Sequence, residues 1–416
     1  MKSLTSLQKN FKQKVSIFDL ATLGLLFFIW GFLTQLNDLL VPNLYKFGLT
    51  FSQALMLHFT FFTTYLILAY PSSKIIDKYG YKVGILTGLA AAAIGCLVFY
   101  LGVEQRSYYF FLVALFIIAA GVTMLQIAAN GYVVLQSHPR KAASNLTFAQ
   151  SLNSFGRIIT IIFGTYLIYL LTDLNPEELD FLSPSDYISA QANLIKTPYL
   201  LMAGIIIITG IFLYTSKLPD FNTGGLPVLV KDNDINYDNI FKIKHLLLGA
   251  IAIFAYVGAE VSIGTYLIKY LNLPGKGGDG INEVVGAEML QYYWGSSMVG
   301  RIIGGFIMRD LSPRKVMAGF SASAAIFTLI SIVSHGNISV ISIVAVGFFN
   351  SILFPTIFTL GINGLGHFAE EGASVLISSI VGGAIIPLVV ITVSEFVGLE
   401  MALIIPVICY IYIVYY

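Results

Sequence analysis

The sequence predicts an all-α membrane protein of twelve transmembrane helices in two six-helix halves, with both termini on the cytoplasmic side. Three observations carry this. The 416 residues are 57% hydrophobic and only 11% charged, with a mean hydropathy of +0.82, whereas soluble domains carry roughly 25% charged residues. The apolar residues gather into twelve runs near the roughly 20 residues that a membrane-spanning helix needs. The Lys and Arg between those runs are distributed unevenly.

In order, the runs are 17–43, 51–75, 82–102, 108–134, 145–171 and 197–215, then 245–270, 286–308, 315–334, 337–364, 373–395 and 399–416. The first follows a basic, polar start, MKSLTSLQKNFKQK, and no small-residue cleavage site comes after it. It reads as a retained helix and not as a signal peptide. Gly and Pro inside several runs are tolerated in membrane helices. The longest polar stretch, 216–244, is a linker in composition. It divides the chain into an N-terminal half, 1–215, and a C-terminal half, 245–416. With the N-terminus inside, the inner segments hold sixteen Lys and Arg and the outer segments five (Lys46, Arg106, Lys196, Lys269 and Lys276), which sets an N-in, C-in orientation. Arg157 and Arg301 remain inside helices. The loop Asp77-Lys-Tyr-Gly-Tyr-Lys82 follows the second run, and Asp310-Leu-Ser-Pro-Arg-Lys315 occupies the same place in the second half. A parallel six-helix repeat of this kind places a site between the halves near the bilayer midplane.

Several function classes drop out. Cys96 and Cys409 both lie in apolar runs and imply neither a disulfide framework nor a metal site. A net charge of +1 offers no electrostatic case for nucleic acid. No nucleophile–base pair and no HExxH-type cluster is present, so the sequence predicts no enzyme, catalytic residue, bound metal or resident cofactor. A lipid bilayer and a small solute are the expected partners. Short loops fit a monomer.

Charged and amide side chains inside apolar runs are the informative residues. Asp38 is the one charge between Ala21 and Leu40. A carboxylate there is costly unless it is protonated, paired or facing water, so it suits ion coupling, with a salt bridge to Arg157 as the structural alternative. Glu260, in the seventh run, is the second acid: it binds an ion or solute, or bonds within its own half. Further polar groups at plausible depth are Gln35, Asn37, Gln126, Asn130, Gln150, Asn153, Gln291, Asn350 and Asn363. Asn37 and Asp38 are adjacent and cannot both point into one cavity. Gln126 and Asn130 are spaced i, i+4, and Gln150 and Asn153 i, i+3, so each pair shares a helix face. Two amide pairs on neighbouring helices suit a hydroxyl-rich ligand. They equally suit helix-to-helix bonding, as buried amides do in membranes. Trp294, flanked by small residues, offers an indole face for stacking and one donor. Trp30 is a weaker candidate for the same role. Arg301, nine residues before Asp310, is expected to snorkel toward the inner loop, and His58 to line a cavity or pack.

The stretch Ser73-Lys-Ile-Ile-Asp77-Lys78-Tyr-Gly80-Tyr-Lys82 resembles the cytoplasmic loop signature of the major facilitator superfamily. It keeps Asp77, Gly80 and Lys82, has Lys78 in place of Arg, and departs at Ser73 and Tyr81. The resemblance implies that this loop, with its counterpart Asp310 and Lys315, forms a charge and capping cluster that holds the inward face closed. A narrower resemblance runs through most of the chain. Leu36-Asn37-Asp38, Leu125-Gln126-Ile-Ala-Ala-Asn130, Ala149-Gln150-Ser-Leu-Asn153-Ser-Phe-Gly156 and Thr197-Pro198-Tyr199 are similar to the fucose–galactose–glucose:proton symporter family. In the second half, Tyr256–Gly264, Tyr292–Arg301 and Gly347–Pro355 are similar to its glucose/galactose branch. The resemblance implies symport of a hexose with H+ or Na+ across a bacterial inner membrane. For such a cargo the residues weighed above are expected to act as ion coupling (Asp38 and Glu260) and sugar contact (Asn37, Gln126, Asn130, Gln150, Asn153, Trp294 and Asn350). The fucose branch has a carboxylate where this chain has Gln126, which favours glucose or galactose over fucose. A uniporter or exporter of another small polar solute on the same fold is the rival reading.

Overall fold

A computed structural model describes residues 17–40, 50–172, 184–215, 239–277 and 283–416. Inside its helices, the side chains at 17–21, 37–40, 51–52, 54–55, 135–136, 163–172, 184–195, 283–284, 287 and 367 lie outside the description. The linker proposed at 216–244 falls largely outside the described residues.

Twelve helical segments run in order: α1 Ile17–Leu40, α2 Phe51–Tyr79, α3 Tyr81–Gln105, α4 Tyr108–Gln136, α5 Ala142–Thr172 and α6 Pro184–Thr215, then α7 Lys244–Leu271, α8 Glu283–Asp310, α9 Pro313–Val333, α10 Gly336–Ile362, α11 Ala369–Val397 and α12 Leu399–Tyr415. No strand occurs among the described residues. The sequence expectation for α6 was too short: the helix begins at Pro184 and not near 197. Its first turns are polar and escape a hydropathy criterion, although a Pro suits the first helical turn because the amide it lacks would be unbonded there.

Among the described residues, seven helices, α3, α4, α6, α7, α9, α10 and α11, are long and apolar enough to cross a membrane. The apolar parts of α1 and α12 are shorter, Thr22–Leu36 and Leu399–Tyr415. α2, α5 and α8 are diluted by polar residues such as Lys74, Asn153 and Arg301. Burial separates the helices further. The most apolar windows of α4, α7 and α10 are each 67% buried inside the protein, against 39–50% in α3, α6, α9 and α11. Those three helices are therefore central, and the other four offer more surface to lipid.

Packing repeats between the halves. In the first, α3 packs on α4 and α6, α1 on α5, and α2 on α4; in the second, α9 packs on α10 and α12, α7 on α11, and α8 on α10. Each pair recurs six helices later. Small residues set these distances, as they do where membrane helices approach closely. A Cβ on Gly31 of α1 would lie 2.0 Å from the Asn153 carbonyl oxygen of α5, and one on Gly156 of α5 would lie 2.3 Å from the Phe28 carbonyl oxygen of α1. Contact across the halves runs through α5 with α8, α2 with α11, and α5 with the second part of α10.

α10 is broken at Ser351–Ile352. Pro355 explains the break, because it has no N–H to give the Ser351 carbonyl one turn earlier. The loop after α7 is also anchored. Lys276, counted at first only as an outer charge, is fully buried; its Nζ donates to the carbonyls of Ser331 (3.1 Å) and Ser334 (2.9 Å) and pairs with Glu400 (2.7 Å). It thereby satisfies carbonyls at the C-terminal end of α9, where a cation is favoured.

Gly31→Ala forces α1 and α5 apart and is expected to cost about 1–3 kcal/mol, the usual penalty of overpacking. Thermal unfolding of the detergent-solubilised protein measures it. Gly210→Ala, with nothing within 4 Å of the added carbon, is the matched control and does not lower the midpoint, since Ala suits a helix interior better than Gly.

Candidate functional site

The α5–α8 seam is built as successive rungs. Ser144 Oγ donates to the Gly305 carbonyl at 2.6 Å. Next, Phe148 meets Phe306 edge-on at 5.0 Å, with the Arg309 guanidinium 5.0 Å from each ring. Arg301 forms the third rung. Its Nη1 donates to the Gln150 carbonyl (2.8 Å), Ser154 Oγ (2.6 Å) and Asn153 Oδ1 (3.5 Å), while its Nε donates to the Ser351 carbonyl (3.0 Å). The Ser351 carbonyl is the one left without a helical donor by Pro355. The fourth rung is Arg157 of α5, whose guanidinium lies 4.8 Å from the ring centroid of Trp294 on α8. Arg301 is buried and does not snorkel to the loop as expected. Bonding to four groups on α5 and α10 satisfies the guanidinium in place.

Above the third rung lie the amides of the first half. Gln150 Nε2 donates to Asn130 Oδ1 at 3.0 Å, which joins the two predicted pairs directly. Gln126 Nε2 donates to the Tyr65 hydroxyl at 3.1 Å, and Asn153 Nδ2 to the Phe27 carbonyl at 3.3 Å. All four amides are buried. Part of each is therefore helix-to-helix bonding. The remaining capacity is the notable part: Gln35 Oε1, Gln126 Oε1 and Asn130 Nδ2 are buried without a hydrogen-bond partner among the described residues. An unpaired buried polar atom costs about 1–3 kcal/mol, so such a cluster is a ready set of contacts for a polyhydroxylated ligand.

The second half contributes a different set. Tyr256 OH donates to Glu260 Oε1 at 2.7 Å on α7. Tyr293 OH donates to the Glu260 carbonyl at 3.3 Å and accepts from Asn350 Nδ2 at 2.9 Å. Tyr293 and Trp294 meet edge-to-face at 5.1 Å. Asn350 Oδ1 and Arg157 Nε are again buried without a partner among the described residues. Glu260, Arg157 and Arg301 are close enough to interact electrostatically through this cluster. Two weaker candidates do not join it. Gln291 is exposed. Asn363 is exposed beyond the end of α10, where its carbonyl contacts His245 Nε2 at 3.1 Å. Trp30 is buried in the α1 core, 5.6 Å from Phe27. His58 packs on Phe62 at 5.0 Å. The side chains of Asn37 and Asp38 lie outside the described residues, although the backbone of α1 is helical through Leu40.

At the end that carries the α2–α3 and α8–α9 loops, the halves are held by residues that sequence reading missed. Lys74 on α2 pairs with Glu371 on α11, and the Tyr81 hydroxyl donates to Glu370 Oε1 at 3.3 Å. The predicted loop residues act around this contact. Asp77 is exposed and within electrostatic reach of both Lys74 and Tyr81. Gly80, at φ 87°, ends α2 and starts α3 with no intervening residue, a backbone angle that favours glycine. Lys82 Nζ donates to the Tyr214 carbonyl at 3.4 Å and so caps α6. Lys78, Asp310 and Lys315 are exposed. The signal available in the sequence was the acidic pair Glu370-Glu371 just before the eleventh run, which faces the basic end of the second.

Twelve helices in repeated halves around this seam invite comparison with known proteins. The sequence profile of the Major Facilitator Superfamily matches residues 23–387. The chain belongs to this superfamily. This major facilitator protein is a membrane transporter and not an enzyme. It is 40% identical over 414 residues to the glucose/galactose transporter of Brucella abortus, covering 99% of this chain and 95% of that one. It is 32% identical over 409 residues to the L-fucose-proton symporter of Escherichia coli, covering 95% and 91%. A crystal structure of that Escherichia coli fucose:proton symporter superposes with a TM-score of 0.82 at 31% identity, covering 96% of this chain and 97% of that one. A second, in the outward conformation, superposes with a TM-score of 0.81.

Lys74→Glu sets three carboxylates against one another and is expected to loosen the loop-motif end. Both native cysteines are buried, so a single Ser144→Cys reports seam opening through maleimide labelling. Labelling should rise roughly two- to fivefold, in keeping with a partly exposed pair. Adding Glu371→Lys should restore the lower rate.

Proposed function

We propose that this transporter is a proton-coupled hexose symporter for glucose or galactose, working by alternating access in a bacterial inner membrane, N-in and C-in. The supporting observation is the set of buried amide atoms on α1, α4 and α10 that lack a partner among the described residues, together with the indole of Trp294 on α8. A hexose is neutral, with hydroxyls around its rim and an apolar ring face. It needs amides to replace its water group for group and an aromatic plate for the ring. The names of the relatives agree with this class of cargo, and Gln126 fits a branch without the second carboxylate. In this reading Gln126, Asn130, Gln150, Asn153 and Asn350 bind hydroxyls, Asn37 adds a further amide, and Trp294 stacks on the ring. The halves, 1–215 and 245–416, rock about the site as a monomer, joined by the 216–244 linker. In this reading the contacts of Lys74 with Glu371 and Tyr81 with Glu370 close the cytoplasmic end, and the loops at Asp77–Lys82 and Asp310–Lys315 act around them as the gating motif.

Coupling rests on Asp38. A protonated carboxyl crosses the cycle without presenting a bare charge to hydrocarbon, and an ionised one does not. With Asp38 ionised, Asp38 and Glu260 balance Arg157 and Arg301; protonation leaves one positive charge in excess. Glu260 is the counter-charge in the second half and the second candidate for ion contact. Sodium coupling through the same carboxylate is the competing assignment.

Reconstitution into proteoliposomes tests the cycle. Glucose or galactose addition should alkalinise the medium without any sodium requirement. Uptake that disappears without sodium at fixed pH overturns the proton assignment. Asp38→Asn should stop accumulation yet retain sugar exchange; a variant that still concentrates sugar removes Asp38 from the mechanism. Separately, Gln150→Ala should weaken hexose binding by roughly 5- to 100-fold in calorimetry, the loss expected for one buried hydrogen-bonding group.

A further inference from the structure

The two arginines of the α5–α8 seam are held differently. Arg301 makes four hydrogen bonds through Nε and Nη1. Arg157 lies against the Trp294 ring, its Nε has no hydrogen-bond partner, and no ion pair to it is present among the described residues. The first is a fixed clasp, and the second is releasable. Arg157 also stands in a specific place. Gln150, Asn153 and Arg157 follow the i, i+3, i+7 spacing of one helix face, so the guanidinium rises from the stripe that carries the amides. It forms the rung of the seam farthest from the loop-motif end, with its Cζ 4.8 Å over the indole centroid.

We propose that Arg157 is a gating residue that competes with the sugar for the face of Trp294, and that hexose binding displaces it. This rests on the hexose reading above and deepens it. Guanidinium and pyranose need the same surface, since the planar cation and the C–H face of the sugar chair each pack on the indole at van der Waals distance. With the guanidinium 4.8 Å from the ring centroid, a second ring does not fit between them. Displacement breaks the outermost rung between α5 and α8, so occupancy by sugar is transmitted directly to the contact between the halves. It also filters substrates: a polar solute without an apolar face has nothing to offer the indole in exchange for the cation. The Gly264 side of the indole leaves little room for another route, because a Cβ there would sit 3.1 Å from Trp294 Cζ2.

The proposal fixes the sign of a mutation. A residue that contacts sugar, or that merely holds the halves together, weakens or spares sugar binding when removed. A competitor strengthens it. The test is calorimetric titration of the full detergent-solubilised chain with D-glucose and D-galactose. Arg157→Gln is expected to bind the preferred sugar roughly two- to thirty-fold more tightly, the range spanned by a cation–π contact. Arg157→Lys, which keeps the charge but loses the planar stack, should fall between the two. In Arg157→Ala, added ethylguanidinium should compete with sugar, whereas it should not affect the unaltered chain. Weaker or equal binding in both Arg157→Gln and Arg157→Lys overturns the proposal; if the Gln variant does not fold, the Lys variant decides alone. If neither hexose binds the unaltered chain, the hexose reading itself fails, a result distinct from binding that is present but not tightened.

Discussion

A guanidinium buried in a membrane protein must find partners inside the protein, and Arg301 of α8 finds them on two other helices, α5 and α10. Its desolvated charge is tolerable only because two backbone carbonyls, a hydroxyl and an amide oxygen converge on it. One of those carbonyls exists as a free acceptor because Pro355 interrupts α10 four residues later. Proline, broken helix and arginine thus form one unit. That unit sets the register of α5 against α8 and α10, and so decides where the amides of the first half stand relative to the tyrosines, Glu260 and Trp294 of the second.

The two halves repeat each other in packing but not in chemistry. The same four helix pairings occur twice. Yet α4 and α5 present amides, whereas α7 and α8 present a carboxylate, phenols and an indole. A neutral, amphipathic solute placed between them has a polar wall on one side and an aromatic one on the other. Charge enters this arrangement sparingly, as it must at low dielectric: Glu260 and two arginines lie near one another, and Asp38 is the acid left to titrate in the proposed cycle. Closure at the loop-motif end uses cheaper interactions, including the partly exposed pair Lys74–Glu371. Exposed pairs contribute little each, which suits a contact that has to open and close.

Helix positions were legible because each run had to satisfy its own backbone in lipid, and that constraint writes itself into local hydropathy. Hydropathy carries no such mark where a helix opens with polar turns, as α6 does at Pro184. Side-chain depth was legible only in part. Spacing correctly put Gln126 with Asn130 and Gln150 with Asn153. It could not say that Gln150 bonds Asn130 across two helices, nor that Gln291 and Asn363 turn outward, since neighbours on one helix do not specify the helix opposite. Arg301 was misjudged for the same reason. Proximity to Asp310 along the chain suggested a path to water, but partners 147–151 residues away in sequence satisfied it where it was. Lys276, Lys74 and Glu371 likewise looked like ordinary loop charges until their partners were in place.

The sequence by itself determined a twelve-helix membrane transporter with a repeated plan, and the identity of the polar residues admitted to its interior. Both follow from local rules: a span of fixed length, a backbone that must bond internally, and the cost of each polar group in an apolar run. Only the tertiary structure decided which of those polar groups meet. It bonded Arg301 of α8 to α5, left Gln126 Oε1, Asn130 Nδ2 and Asn350 Oδ1 without a partner among the described residues, and laid Arg157 over Trp294. The reason is that hydrogen bonds and cation–π contacts depend on distances of a few ångströms between helices far apart in the chain. Such distances are set by where Gly31 and Gly156 let helices touch and where Pro355 breaks one.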